Sequence, residues 1–477
     1  MIVGGGISGL AAAFFLRDRG VDVTVLEGSP RVGGKLAVSE VGGVAVDEGA
    51  EALLARRPEG TDLIAAVGLA DRLELPGTTA AGIWSRGRLH PLPKRQFMGV
   101  PADLDELQAS GILSDAGLAR ARDDLRLPVT PRDGDVPVAG YVGARFGGEL
   151  VDRLVDPLLG GVYAGRSDGL SFEATLGALA AASRRHRSLA EAAASLLPAP
   201  GEPGRPPAPA RPVFTTLSGG LGALPPAVAA QSGATVRTGA MVRELARTAL
   251  PDAEGWRLTV GPTRAPERLG ADAVILAVPA TPASRLLAPV TGAADAASAL
   301  GEIDYASMAI VTLAYPAGAF AERPQGSGYL VPAVDGRAVK AVTFSTVNWP
   351  HLRSGDAGLE IVRCSVGRIG EEALLQRGDA ELARIAAADL AAATGVRGEP
   401  ADVRVSRWGG ALPQYAVGHA RRVERVRASV AAQPGLAVCG AAYDGVGIPA
   451  CIASARLATD QVLAYLGSRD PRPAHVG

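Results

Sequence analysis

Residues 1–28 read MIVGGGISGLAAAFFLRDRGVDVTVLEG, and this stretch decides the fold. Gly4, Gly6 and Gly9 stand at the G-x-G-x-x-G positions between a short apolar run and a helical pattern. The first glycine permits a tight turn, the second lets backbone approach a pyrophosphate, and the third lets helix and strand pack closely. The helix that follows aims its unpaired N–H groups and the positive end of its dipole at that phosphate, with Gly5, Ile7 and Ser8 completing the turn. Leu10, Ala13 and Phe14 share one apolar helical face, and Gly20, after Arg17 and Arg19, reads as the stop. Val21, Val23 and Val25 alternate with Asp22 and Thr24, a strand of period two. Glu27 lies 18 positions past Gly9, near the roughly 20 expected of the carboxylate that binds a ribose hydroxyl. An acid there suits a free ribose better than a phosphorylated one. Only Met1, Ile2 and Val3 precede the glycines, where strands usually run to about five residues. Either the first strand is unusually short or the chain continues upstream.

At 477 residues the chain is too long for one compact core, so two or three domains are expected. A net charge of −1 gives no basic field for nucleic acid and no polybasic patch for a membrane surface. The five histidines (His90, His186, His351, His419, His475) lack ligand spacing, so no metal site is expected. Cys364, Cys439 and Cys451 form no C-x-x-C pair, which fits a reducing cytoplasm better than a disulfide framework. The apolar start lacks the basic flank of a secretory signal, and no apolar run reaches the ~18 residues needed to cross a bilayer. Peripheral membrane contact stays open.

Further along, a Gly42-Gly43 turn leads through Val44, Val46 and Asp47 to a loop at Gly49-Ala50-Glu51-Ala52, and Leu63 to Leu69 reads as a helix. Ile83 and Trp84, Arg86-Gly87-Arg88 and Leu89 form a hairpin that exits through the stiff His90-Pro91-Leu92-Pro93. Between Asp103 and Leu197 the periodicity is helical, with Tyr141, Phe146, Leu150, Leu154, Leu158 and Leu159 as apolar members. Seven prolines between Pro198 and Pro212 mark an exposed linker or disordered loop. Ala273 to Val278 suits a buried strand. Strands around Ala309–Tyr315, Tyr329–Val331, Ala338–Thr346, Leu359–Val366 and Val403–Trp408 suggest a large antiparallel or mixed sheet, and Glu371–Ala393 a helix. Near the end, a strand at Leu436–Val438 runs through Gly445-Val446-Gly447-Ile448 into a helix with Pro449 in its first turn. Such a helix start stabilises negative charge gathering on a ligand without reorganisation. No local βα unit could hold both ends of a long dinucleotide, so the two ends of the chain are expected to meet.

Arg31, Gly33 and Gly34, just after the acid, resemble the second glycine pair of flavoproteins of the amine oxidase and protoporphyrinogen oxidase superfamily, which implies FAD rather than NAD. The chain as a whole resembles the protoporphyrinogen oxidase family, bacterial coproporphyrinogen III oxidase type. The residues that carry the likeness are Leu89 to Pro93, Met98-Gly99-Val100-Pro101, Gly161-Val162-Tyr163-Ala164-Gly165, Trp408 with Pro413-Gln414-Tyr415 and Gly418-His419, and Gly445 to Pro449 with Cys451-Ile452.

The resemblance implies an α/β fold: a discontinuous, Rossmann-like FAD-binding domain, a mixed-sheet substrate domain and an inserted helical subdomain. We place the FAD domain at 1–80, 212–280 and 406–467, the substrate sheet at 81–93 and 281–405, the helical insert at 94–197 and the linker at 198–211. By the same likeness FAD would touch Gly4, Gly5, Gly6, Ile7, Ser8, Gly9, Glu27, Gly28, Gly33, Gly34, Lys35, Gly49, Ala50, Glu51, Ala52, Val242, Trp408, Val446, Gly447 and Ile448. Two departures stand out: Ala50-Glu51 where relatives often have proline and an acid, and Ala450 where an acid often follows the proline.

The implied reaction removes six electrons from a porphyrinogen in three two-electron steps, with dioxygen reoxidising the flavin and hydrogen peroxide released. No acid/base pair or nucleophile is evident, so no catalytic side chain is named. Coproporphyrinogen carries four propionates, so the pocket should hold cations. Lys94 and Arg95 are the candidates, with Arg145 and Arg166 behind them and Tyr163 as a wall residue; each is also readable as a surface charge or a core tyrosine. The family likeness implies a haem-pathway setting, with a ferrochelatase as the partner that would receive the product. Protoporphyrinogen as substrate, another flavin enzyme such as an amine oxidase or desaturase, and a non-catalytic flavin or tetrapyrrole-binding protein are the competing readings.

Overall fold

The computed structural model describes residues 1–198, 213–250, 253–353 and 358–469. Beyond Pro198, the proline-dense linker lies outside the described residues.

In chain order, the strands that frame the molecule begin with β1 (Ile2–Val3), β2 (Thr24–Leu26) and the hairpin β3 (Gly82–Ser85) and β4 (Arg88–Pro91). Then come β5 (Thr235–Arg237), β6 (Val274–Leu276), β7 (Tyr305–Pro316) and β8 (Gly328–Leu330). The series ends with β9 (Val339–Phe344), β10 (Leu359–Val366), β11 (Asp402–Pro413) and β12 (Leu436–Val438). Three helices matter most: α1 (Ile7–Leu16), α2 (Asp156–Tyr163) and α3 (Ile448–Arg469).

A five-stranded sheet runs β5-β2-β1-β6-β12, parallel throughout. Parallel strands need crossovers and are covered on both faces, which is why Val274, Ile275 and Leu276 are all buried. The short first strand is real: two residues of β1 pair with Val25–Leu26 on one side and Ile275–Leu276 on the other. α1 and α3 pack together on one face through Leu10, Ala13, Phe14, Ile452 and Ala455. The two ends of the chain therefore meet.

The second sheet has seven strands in the order β11-β7-β10-β9-β8-β3-β4, antiparallel except where β8 runs parallel to β3. The helical insert covers its β3–β4 end and one face through Ile83 and Leu330, and its own core takes in Tyr141, Phe146, Leu150, Leu154 and Leu159.

Several expected boundaries move. Residues 406–413 belong to the seven-stranded sheet as part of β11, paired with β7 from Ala314–Asp402 to Tyr305–Pro413. The helices Ala280–Leu287 and Ala294–Gly301 pack with Val423, Val426 and Val430 beside the parallel sheet, not in the substrate sheet. The expected helix 371–393 is a 3-10 turn (Glu372–Gln376), a break at Arg377-Gly378 and a helix (Asp379–Thr394). The first helix ends at Leu16, ahead of Gly20, with Asp18 already left-handed at φ +58°.

Candidate active site

The glycine turn after β1 is shaped by close backbone contact. Gly4 sits at φ +106°, and a Cβ on Gly9 would stand 1.9 Å from the Gly4 carbonyl oxygen. Neither position has room for a side chain. Gly6 differs: it caps α1 without any side-chain cap, no acid lies in the first turn, and a Cβ there would meet nothing within 4 Å. The N-terminal amides of α1 thus have no side-chain cap among the described residues.

Glu27 lies beside that opening, its carboxylate accepting from the Gly5 N–H at 2.6 Å and the Ser29 N–H at 2.8 Å. Those bonds fix one acid at the end of β2. Gly33 donates its N–H to Gly5 O at 2.8 Å, bringing the second glycine pair against the first. Gly28 abuts Met241, just before Val242, because Ala240 N–H bonds to Glu27 O at 2.8 Å.

At the far end, the turn from Gly440 to Gly447 leads into α3. The Gly440 Cβ position is 3.8 Å from Ser8 Oγ, and Cys451 on α3 shares a hydrogen bond with the Ser8 hydroxyl. Lys35 reaches the same place: burial lowers its pKa, and charge on the Cys451 sulfur would act in the opposite sense. Burial likewise raises the Cys451 pKa, against the Ser8 bond and Lys35.

The loop Gly49–Ala52 is braced by the seven-stranded sheet. Arg363 on β10 donates to Gly49 O at 2.5 Å and pairs with Glu51, whose other oxygen accepts from Trp349 Nε1 at 2.6 Å. Trp408 Nε1 donates to Glu48 O at 2.8 Å. The Glu51 carboxylate is thus spent inside the protein, and what the loop can offer a ligand is backbone.

Sequence reasoning missed Tyr415. Its hydroxyl donates to Ala441 O at 2.7 Å and accepts from Gly445 N–H at 2.8 Å, so one side chain clamps both limbs of the turn before α3. Beside it, Gln414 Nε2 donates to Tyr163 O at 2.8 Å, tying the insert to the same segment. The quoted Pro413-Gln414-Tyr415 was the available signal.

The expected cations separate. Arg145 is 1% exposed and pairs with Asp124 at 2.5 Å, with further donations to Pro128 O and Arg187 O. It is a structural ion pair inside the insert, already spent on Asp124 and backbone carbonyls and so not placed to hold a propionate. Arg166 is exposed and pairs with Asp168 at 3.7 Å. Lys94 is exposed, and half-buried Arg95 donates to Pro198 O at 3.3 Å. Tyr163 is buried with its ring 5.5 Å from that of Tyr415.

These features bring a glycine turn, the starts of α1 and α3 and one fixed acid together. A model of the flavin containing amine oxidoreductase family matches residues 7–463. The chain belongs to that family. It is 40% identical to the coproporphyrinogen III oxidase of Mycobacterium tuberculosis strain H37Rv over 99% of this chain and 98% of the relative. It is 32% identical to the Bacillus subtilis coproporphyrinogen III oxidase, covering 98% of each. A solved structure from Exiguobacterium sp. 255-15, assigned as a protoporphyrinogen oxidase, superposes with a TM-score of 0.83 at 32% identity, covering 97% of this chain and 98% of that one. The chain is accordingly a flavin-dependent oxidoreductase with the α/β fold of that family. Among the described residues no helix is long and apolar enough to cross a membrane.

The residues present fit a flavin dinucleotide. Open space at Gly6, a fixed acid at Glu27 and uncapped amides at the start of α1 suit a pyrophosphate and a ribose; the Gly440–Gly447 turn and α3 suit the electron-accepting end.

Proposed function

We propose that this protein is an FAD-dependent oxidase that converts coproporphyrinogen III to coproporphyrin III, three molecules of dioxygen becoming three of hydrogen peroxide. The observation that carries the reading is the end-to-end likeness to chains named coproporphyrinogen III oxidase, at 40% identity for one of them. FAD, when bound, supplies the hydride acceptor. The rest is work for the chain's own residues.

In this reading Gly4 to Gly9, Glu27, Gly28 and Val242 hold the ADP half, and Gly33, Gly34, Lys35, Gly49 to Ala52, Trp408 and Val446 to Ile448 border the rest. Tyr415 keeps the turn before α3 in place, so that helix faces the ligand with a fixed dipole rather than one that must reorganise. In this reading the seven-stranded sheet and the insert would close the other side and exclude water. Holding a substrate carbon against the acceptor is the protein's main contribution to rate.

The decisive experiment is oxygen consumption by the purified yellow protein with coproporphyrinogen III, followed by porphyrin fluorescence. Stoichiometric peroxide and fluorescent product are expected. A flavin that stays reduced in air overturns the oxidase reading. Protoporphyrinogen IX is the second reading, favoured by the assignment of the Exiguobacterium structure; faster turnover of it than of coproporphyrinogen would select it.

A further inference from the structure

Lys340 lies on β9 at an irregularity where the register with β10 slips between Val339 and Ala341. It is 4% exposed, and among the described residues its Nζ has no hydrogen-bond partner. A buried amine without an acceptor is costly, because desolvation is not repaid. Burial, with Arg368 second, pushes its pKa down to about 7, and the Glu371 carboxylate acts in the opposite sense. The neighbour is itself a cation: Arg368 is 5% exposed and is held by Val331 O at 3.1 Å, Arg337 O at 3.3 Å and Glu371 at 3.3 Å. Arg368 therefore cannot relieve Lys340.

The pair sits at the seam between the substrate sheet and the insert. Leu330, on the strand beside β9, is 3.5 Å from the Cβ position of Gly161 on α2. Ile369 N–H, one residue past Arg368, donates to Ala164 O at 2.8 Å. The same insert segment carries Tyr163, which Gln414 ties to the Tyr415 clamp. An amine with no hydrogen-bond acceptor among the described residues thus stands where insert, sheet and the segment leading to the glycine turn converge.

We propose that Lys340, backed by Arg368, is the subsite for a substrate carboxylate that coproporphyrinogen has and protoporphyrinogen lacks. This rests on the porphyrinogen reading above. A propionate gives the amine the acceptor it lacks; the apolar group that replaces it on the two-carboxylate ring leaves the amine unpaired. Sites built to bond a polar group reject analogues without it far more strongly than apolar pockets separate apolar groups. Lys340 would then set the substrate choice, while the carboxylates common to both rings face other cations.

The test titrates purified holoprotein with coproporphyrin III and with protoporphyrin IX, following fluorescence, for wild type, Lys340→Met and Lys340→Gln. Either variant should weaken coproporphyrin III binding tenfold or more and leave protoporphyrin IX within twofold, so the preference collapses. Variants that bind both porphyrins as wild type does overturn the assignment of Lys340 alone. Wild-type protein that binds neither porphyrin overturns the porphyrinogen reading, and this inference with it.

Discussion

Replacing Gly6 with alanine separates folding from cofactor binding. Gly6 has φ −72° and ψ 176°, extended backbone open to any residue, and a Cβ there would touch nothing within 4 Å. The apoprotein should keep its stability or gain ~0.4–1 kcal/mol, because alanine restricts the unfolded chain more than glycine does. The new methyl group occupies the space through which a pyrophosphate would reach the amides of α1. Hydrogen bonds to charged groups contribute ~1.5–3 kcal/mol each, so losing two costs about 3–6 kcal/mol. At tenfold per ~1.4 kcal/mol, FAD affinity should fall roughly 10²- to 10⁴-fold. Fluorescence titration of the apoprotein with FAD, beside urea unfolding of the same sample, reads both quantities. A Gly6→Ala protein that binds FAD within threefold of wild type refutes the placement of the phosphates. Gly9→Ala is the control, since its Cβ would strike Gly4 O at 1.9 Å and should lower the unfolding midpoint itself.

Tyr415→Phe removes the clamp on Ala441 and Gly445; at about 1 kcal/mol net per bond the loss is ~2 kcal/mol, read as FAD affinity weakened tens of fold, and unchanged affinity would count against the clamp. Arg145→Met leaves Asp124 buried without its cation, and breaking a buried pair costs ~3–5 kcal/mol; unfolding in urea should show this, with coproporphyrin III affinity of the folded fraction unaltered. His419, stacked on Tyr415 at 3.9 Å, is held down to about 4 by burial. Its folded value lies below the unfolded one, so its stabilisation is complete above pH 6.5 and disappears as pH falls toward 4. The full effect is ~3 kcal/mol, and His419→Phe should flatten that part of the stability-pH curve.

What the sequence made legible was local. The β1–α1–β2 unit, the hairpin at Gly82–Pro91 and the turn into α3 each announce themselves through spacing of glycine, proline and valine within a few tens of residues. The rest depends on partners far away in the chain. Arg145 reads as a surface charge until Asp124 arrives to bury it. Glu51 looks available until Arg363 and Trp349, some 300 residues on, engage it. β11 is long enough to continue past the expected domain border, because its pairing with β7 and not its own composition decides where it ends. Lys340 sits in a strand of otherwise unremarkable pattern, and only burial singles it out.

The parallel sheet carries a consequence for how the molecule is made. β1 pairs with a strand 273 positions further on, Ile2 against Ile275, and the last strand of that sheet finishes only at Val438. At ~5–20 residues per second, translation keeps the first glycine turn without its far neighbours for roughly 20 to 80 s. Throughout that interval the apolar face of α1 lacks the α3 partner that covers it in the folded protein.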